Sequence, residues 1–93
     1  MNKEIVKLLK ELGLLNEEIE RCFNVCPGLE VLDLKRAKQC LMVLVKMGYP
    51  EDDLGLLVAV NPTILFYNPT DLESKLKKIG DVEEMLKSDP FII

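Results

Sequence analysis

The 93-residue chain is 48% hydrophobic and 30% charged, which makes one domain with enough apolar surface to bury a core. The charged fraction argues against a membrane protein, and the longest uncharged stretch, Leu54 to Thr70, holds two prolines and two asparagines that a single bilayer-crossing helix would not carry. A formal net charge of −4 means that phosphate binding would need Lys and Arg gathered on one side.

The first element is a helix over residues 3–12, because Ile5, Leu8, Leu9 and Leu12 fall at i, i+3, i+4 and i+7. The acids in this opening distinguish it from a secretory signal or a transit peptide, so the expected location is the cytoplasm. Gly13 sits where a helix-ending glycine belongs. Asn16 is the expected cap of the next helix, with Glu17 and Glu18 in its first turn. Ile19, Cys22, Phe23 and Cys26 form its apolar face. Pro27 stops it, and Leu29, Val31 and Leu32 read as a tight turn plugged into the core. Asp33 caps a longer helix through Met47, with Ala37, Cys40, Leu41, Leu44 and Val45 turned inward. Gly48 ends that helix.

The pattern then repeats. Pro50 takes a first-turn position, and Glu51, Asp52 and Asp53 lie at the positive helix end. Leu54, Leu57, Val58 and Asn61 form one stripe, but Leu54–Val60 is apolar nearly all round, which predicts a central helix covered on several sides. Residue type alone would allow a strand here; the acidic start and the equivalent segment 17–26 favour helix. Pro62 stops it, and Ile64, Leu65 and Phe66 insert. Asn68, Pro69 and Asp71 open the next helix in a capping-box-like start, with Leu72, Leu76 and Ile79 inward and Gly80 at its end. Asp81 with Glu84 suggests a further capping box, and Val82, Met85 and Leu86 the last apolar face before Pro90.

The segment Gly13–Leu32 thus recurs 35 residues later as Gly48–Tyr67, and Gly80 to Ile93 is a shortened third copy. The expected architecture is all-α: a single domain over 1–93 with six helices. It holds an N-terminal helix, 3–12, and about two and a half repeats at 13–47, 48–79 and 80–93, stacked as a short solenoid. Cys22, Cys26 and Cys40 are odd in number and at no disulfide-framework spacing. With no His in the chain, they read as buried reduced thiols and not as a metal site.

The units Leu12–Asp33 and Met47–Asn68 resemble the repeat of the mitochondrial transcription termination factors, the mTERF family. That repeat has a Leu-x-x-Leu-Gly start, an acidic-start helix, Pro-x-aliphatic-aliphatic and a further helix. Gly13, Ile19, Pro27 and Leu29 match it, as do Gly48, Leu54, Pro62, Ile64 and Leu65, and then Gly80, Val82, Pro90, Ile92 and Ile93. The resemblance implies a solenoid of helical triplets that binds double-stranded nucleic acid through a basic groove. The chain departs from the family in its acidic charge, its small number of repeats and its lack of a transit peptide.

The charges test that implication. Acids in first turns and bases in last turns complement the helix dipole and explain most of the charged residues, including Lys10, Lys46, Lys77 and Lys78. Lys35, Arg36 and Lys38 lie near a helix start and are left over. With Lys75 and Lys78 they form the candidate contact for nucleic acid or an acidic partner; the competing reading is an ordinary solvated face. Phe91, Ile92 and Ile93 are a candidate apolar contact, the competing reading being that they plug into the core as Leu29 and Ile64 do. No nucleophile–base pair, facing carboxylates or phosphate loop is present, so no catalytic, cofactor-binding or metal residue is named. The expected function is a non-catalytic binding module. A protein partner is slightly favoured by charge, double-stranded nucleic acid is the alternative, and no membrane or small-molecule substrate is expected.

Overall fold

The computed structural model describes all of residues 1–93. Six α-helices are joined by tight turns, with no strand, in a body of 35 × 22 × 20 Å. No helix is long and apolar enough to cross a membrane.

Helix α1 (Lys3–Glu11) starts at Asn2. The Glu4 and Ile5 amides donate to the Asn2 side-chain oxygen at 3.1 and 3.3 Å, and Asn2 Nδ2 donates to the carbonyls of Leu29, Glu30 and Leu32. One side chain therefore caps α1 and ties it to the turn after the next helix. Helix α2 (Asn16–Val25) starts one residue earlier than expected. Asn16 is its first helical residue and not its cap. Leu14 is buried, so the extended corner falls at Leu15 (φ −77, ψ 160), which has no acceptor to offer. The Glu18 carboxylate accepts from the Leu15 amide at 2.8 Å instead.

Pro27 and Pro62 each open a 3₁₀ turn, Pro27–Val31 and Pro62–Phe66. The residues before them have nearly the same backbone: Cys26 at φ −126, ψ 77 and Asn61 at φ −133, ψ 77. The Leu29 amide donates to the Cys26 carbonyl at 3.0 Å and the Ile64 amide to the Asn61 carbonyl at 3.3 Å. Leu29 and Ile64 are completely buried. Val31, expected inside, is 87% exposed. A 3₁₀ turn eclipses residues i and i+3, so Leu29 and Leu32 share the inner side and Val31 falls outside.

Helix α3 (Leu34–Lys46) is capped by Asp33, whose carboxylate accepts from the Arg36 amide at 3.2 Å, and it buries Ala37, Cys40, Leu41 and Leu44. Val45 does not join them; one step past Leu44, it turns to the helix flank and is 39% exposed. Pro50 leads into a single 3₁₀ turn, Glu51–Asp53, and then helix α4 (Leu54–Val60). Leu54, Leu57, Val58 and Ala59 are buried. The expected all-round cover is absent: α4 lies between α2 and the Pro62 turn, and its outer side leaves Leu56 and Val60 exposed.

Helix α5 (Pro69–Ile79) lies along α3 and is capped by Asn68, which accepts from the Thr70 and Asp71 amides at 2.9 and 3.4 Å. Helix α6 (Val82–Ser88) is capped by Asp81, which accepts from the Glu84 amide at 3.1 Å. Neither Asp71 nor Glu84 makes the return bond of a full capping box. Gly13, Gly48 and Gly80 take φ of 96, 107 and 82, the left-handed region that ends each helix. After α6 the Ile92 amide donates to the Asp89 carbonyl at 3.1 Å, the bond that opens the two earlier turns. Ile92 and Ile93 are half-buried against the core, and Phe91 is exposed.

Twenty-five buried side chains form one cluster, so there is one core. Asn61 is the one buried polar residue beside it. Its Nδ2 donates to the Pro90 carbonyl at 2.8 Å and its oxygen accepts from the Thr63 hydroxyl, which fastens the end of α4 to the C-terminal segment. Lys87 joins α6 to the start of α4, with Nζ 2.8 Å from both the Asp53 and Glu83 carboxylates. Those two hydrogen bonds raise its pKa above the usual lysine range.

At Gly55, α4 comes close to the backbone at the end of α1. A Cβ on Gly55 would lie 2.1 Å from the Leu12 carbonyl oxygen. Helix propensity alone favours Gly→Ala by about 1 kcal/mol, but here the new methyl meets backbone. Gly55→Ala is expected to destabilise the fold by about 1–3 kcal/mol. Urea unfolding checks this; a stabilised variant would mean that α1 and α4 are not in contact.

Candidate functional site

Helix α3 is flanked on both sides by a surface cleft. Its outer arc carries Lys35, Lys38, Met42, Val45 and Lys46, which fall on one side at about 100° per residue. Met42, at the middle of that arc, is 69% exposed. No acid follows Asp33 in this helix.

On the side towards α1 lies an open cleft of about 520 Å³, lined by Leu12, Lys38, Leu41, Met42, Val45, Lys46, Glu51 and Leu54. Leu41 and Leu54 are buried and Leu12 is half-buried, so they form the apolar floor. Lys38 and Lys46 stand on the α3 wall; Glu51 stands opposite, at the approach to α4. The close Gly55–Leu12 approach brings Leu12 and Leu54 together in that floor. On the other side of α3, a cleft of about 490 Å³ is mostly polar and holds Gln39, Asn68, Thr70 and Glu73. There Lys46 Nζ lies 3.1 Å from the Glu73 carboxylate and Lys77 3.2 Å from its second oxygen. This pairing fixes α5 against α3 and holds the Glu73 carboxyl below its usual range, mainly through the Lys46 hydrogen bond and then that of Lys77.

The five basic residues singled out in the sequence do not form one surface. Lys35 and Lys38 are neighbours on the outer arc of α3. Arg36 is two residues from Lys38, hence about 160° round the helix from it. Glu73 faces α3 through Lys46, and Lys75 and Lys78 lie about 140–160° away from Glu73, on the flank of α5 turned from α3. None of the five makes an ion pair within the chain. The apolar tail divides as well: Phe91 is open to solvent, while Ile92 and Ile93 pack on the core.

The thiols have structural partners. Cys22 Sγ donates to the Val58 carbonyl at 3.9 Å, and Cys40 Sγ to the Tyr67 carbonyl at 3.1 Å. All three cysteines are free and buried, and burial pushes their pKa values up. Such thiols are poor nucleophiles at neutral pH.

Sequence reading missed the cleft, Met42 and Gly55. The available signals were a glycine inside an apolar helix, where the first copy has Glu20, and a methionine on the charged side of an amphipathic helix. Comparison with known proteins finds no matching family model, curated protein or solved structure.

Two measurements follow from these environments. The three thiols are expected to react slowly with a disulfide reagent in the folded protein and together, at free-thiol rates, in urea. Rapid labelling of any one without denaturant would contradict its burial. The Glu73 carboxyl, held below its ordinary value of 4.5, contributes stability that is present above that value and lost as pH falls through its lowered pKa. Glu73→Gln is therefore expected to be less stable than the native chain near neutral pH, with the difference vanishing in acid. Urea midpoints measured from pH 7 down to about pH 3 read this; a gap that persists in acid would put its cause elsewhere.

Proposed function

We propose that the chain is a non-catalytic binding module, a short helical-repeat solenoid similar in its repeat to the mTERF family, and that it binds a protein through the α1–α3 cleft. The repeat reading is supported by the two sequence copies having the same order of elements: helix, proline-led turn with a buried plug, longer capped helix. The observation that carries the binding reading is the cleft itself. It has an apolar floor, an exposed methionine on its lip and charges confined to its walls, the arrangement of an interface core with a polar rim. Methionine suits such a surface because its unbranched thioether adapts to the shape it meets.

Double-stranded nucleic acid remains the reading the family resemblance suggests, with Lys35, Arg36, Lys38, Lys75 and Lys78 as its contacts. The scatter of these residues over three surfaces works against it. Tight phosphate binding needs several cations along one track.

A titration of labelled duplex DNA and RNA at low and moderate salt separates the two readings. No salt-sensitive binding is expected; binding at low salt that falls steeply with added salt would overturn the protein reading. In parallel, Met42→Asp with Val45→Asp, both at exposed positions and expected to shift stability by only about 0.5 kcal/mol, is expected to abolish cross-linking to a protein partner seen with the native chain. Cross-links that survive the double variant would place the interface elsewhere.

A further inference from the structure

We infer that the α1–α3 cleft receives one amphipathic α-helix of a partner protein, with acids along its edge facing α3 and bases along its edge facing Glu51. This rests on the protein-binding reading and names the class of partner. The argument comes from comparing the two sides of α3. Lys46 of α3 stands two residues before Gly48 and pairs with Glu73 of α5, five residues after the cap Asn68. The same positions on the preceding pair of helices are Glu11, two residues before Gly13, and Lys38, five residues after the cap Asp33. The charges are exchanged, yet no ion pair joins Glu11 to Lys38, and the open cleft lies beside Lys38 and Leu12. Where α5 closes on α3, α1 does not.

The open groove therefore has a basic wall, Lys38 and Lys46, with Lys35 one turn before Lys38 at its end, an acidic wall at Glu51, and an apolar floor between them. Lys38 to Lys46 spans eight residues of α3, about 12 Å, or roughly two helical turns. That length fits apolar anchors at i, i+4 and i+7 of a docked helix, the helix-in-groove mode. Opposite charges on the walls favour one helix direction over the other.

The test uses the full chain, isotope-labelled, with synthetic helical peptides of about 15 residues. One peptide has a leucine stripe with glutamates along one flank and lysines along the other; a second has lysines on both flanks. The first is expected to bind saturably, to shift the amide signals of Leu12, Leu41, Met42 and Leu54, and to bind at least fivefold more tightly than the second. Lys35→Glu with Lys38→Glu leaves Lys46, already paired with Glu73, as the only base on the α3 wall and is expected to reverse that order; Met42→Asp is expected to abolish binding of both. Absence of binding by either peptide, shifts mapped away from the cleft, or an order unchanged in the charge variant each overturn the inference. Light scattering completes the test: a dimer of the native chain lost in Met42→Asp would assign the cleft to a second copy, also overturning it. If the peptides fail while cross-linking still depends on Met42 and Val45, the protein-binding reading stands and only the helix class falls.

Discussion

The fold depends on how the chain leaves α2 and α4. A proline forbids helical backbone in the residue before it, so Cys26 and Asn61 are forced to the same non-helical corner, with ψ 77 in both. The turn that follows is short enough to bring Leu29 and Ile64 straight back under the helices, where both are completely buried. A fully buried side chain of this size contributes about 1.5–3 kcal/mol. Without the corner, α2 would run on and α3 would lose its seat. The turn at Asp89 opens with the same bond, but its Ile92 is only half-buried.

Elements set by local chemistry were legible in the sequence. Helices, stop glycines, proline corners and most caps depend on one or two residues and their immediate backbone, and these fall where the pattern puts them. The misplaced side chains share one cause: periodicity does not say what stands opposite. Val31 is as apolar as Leu29, and only the threefold repeat of the 3₁₀ turn turns it outward. Leu56 and Val60 belong to a run that reads as buried all round, yet no element covers the outer side of α4. Val45 follows Leu44 and faces a groove that does not close. Each error moved an apolar residue inward, the natural bias of reading hydrophobicity without neighbours.

The candidate site was less legible than the fold. The basic residues near the start of α3 were visible as a cluster in one dimension, but helical geometry sends Arg36 to a different flank from Lys38. The cleft is not a local feature. It exists because Asn2 pins the start of α1 to the Pro27 turn while Gly55 admits the end of α1 against α4. Those two contacts join residues far apart in the chain, and neither leaves a periodic trace.

Charge placement then separates structure from recognition. Two ion pairs join separate elements: Lys46–Glu73 links α3 to α5, and Lys87–Asp53 links α6 to the turn before α4. Exposed pairs of this kind contribute little to stability individually, so they set register more than they supply energy. The same limit applies to the cleft. Lys35, Lys38 and Glu51 are solvent-exposed and would add little affinity for any ligand; the floor and Met42 must supply most of it by burial. Under the proposed protein-binding reading, charged walls around an apolar floor would act as a filter on what enters and in which direction. Duplex nucleic acid gains nothing from the floor, whereas an amphipathic helix uses both floor and walls.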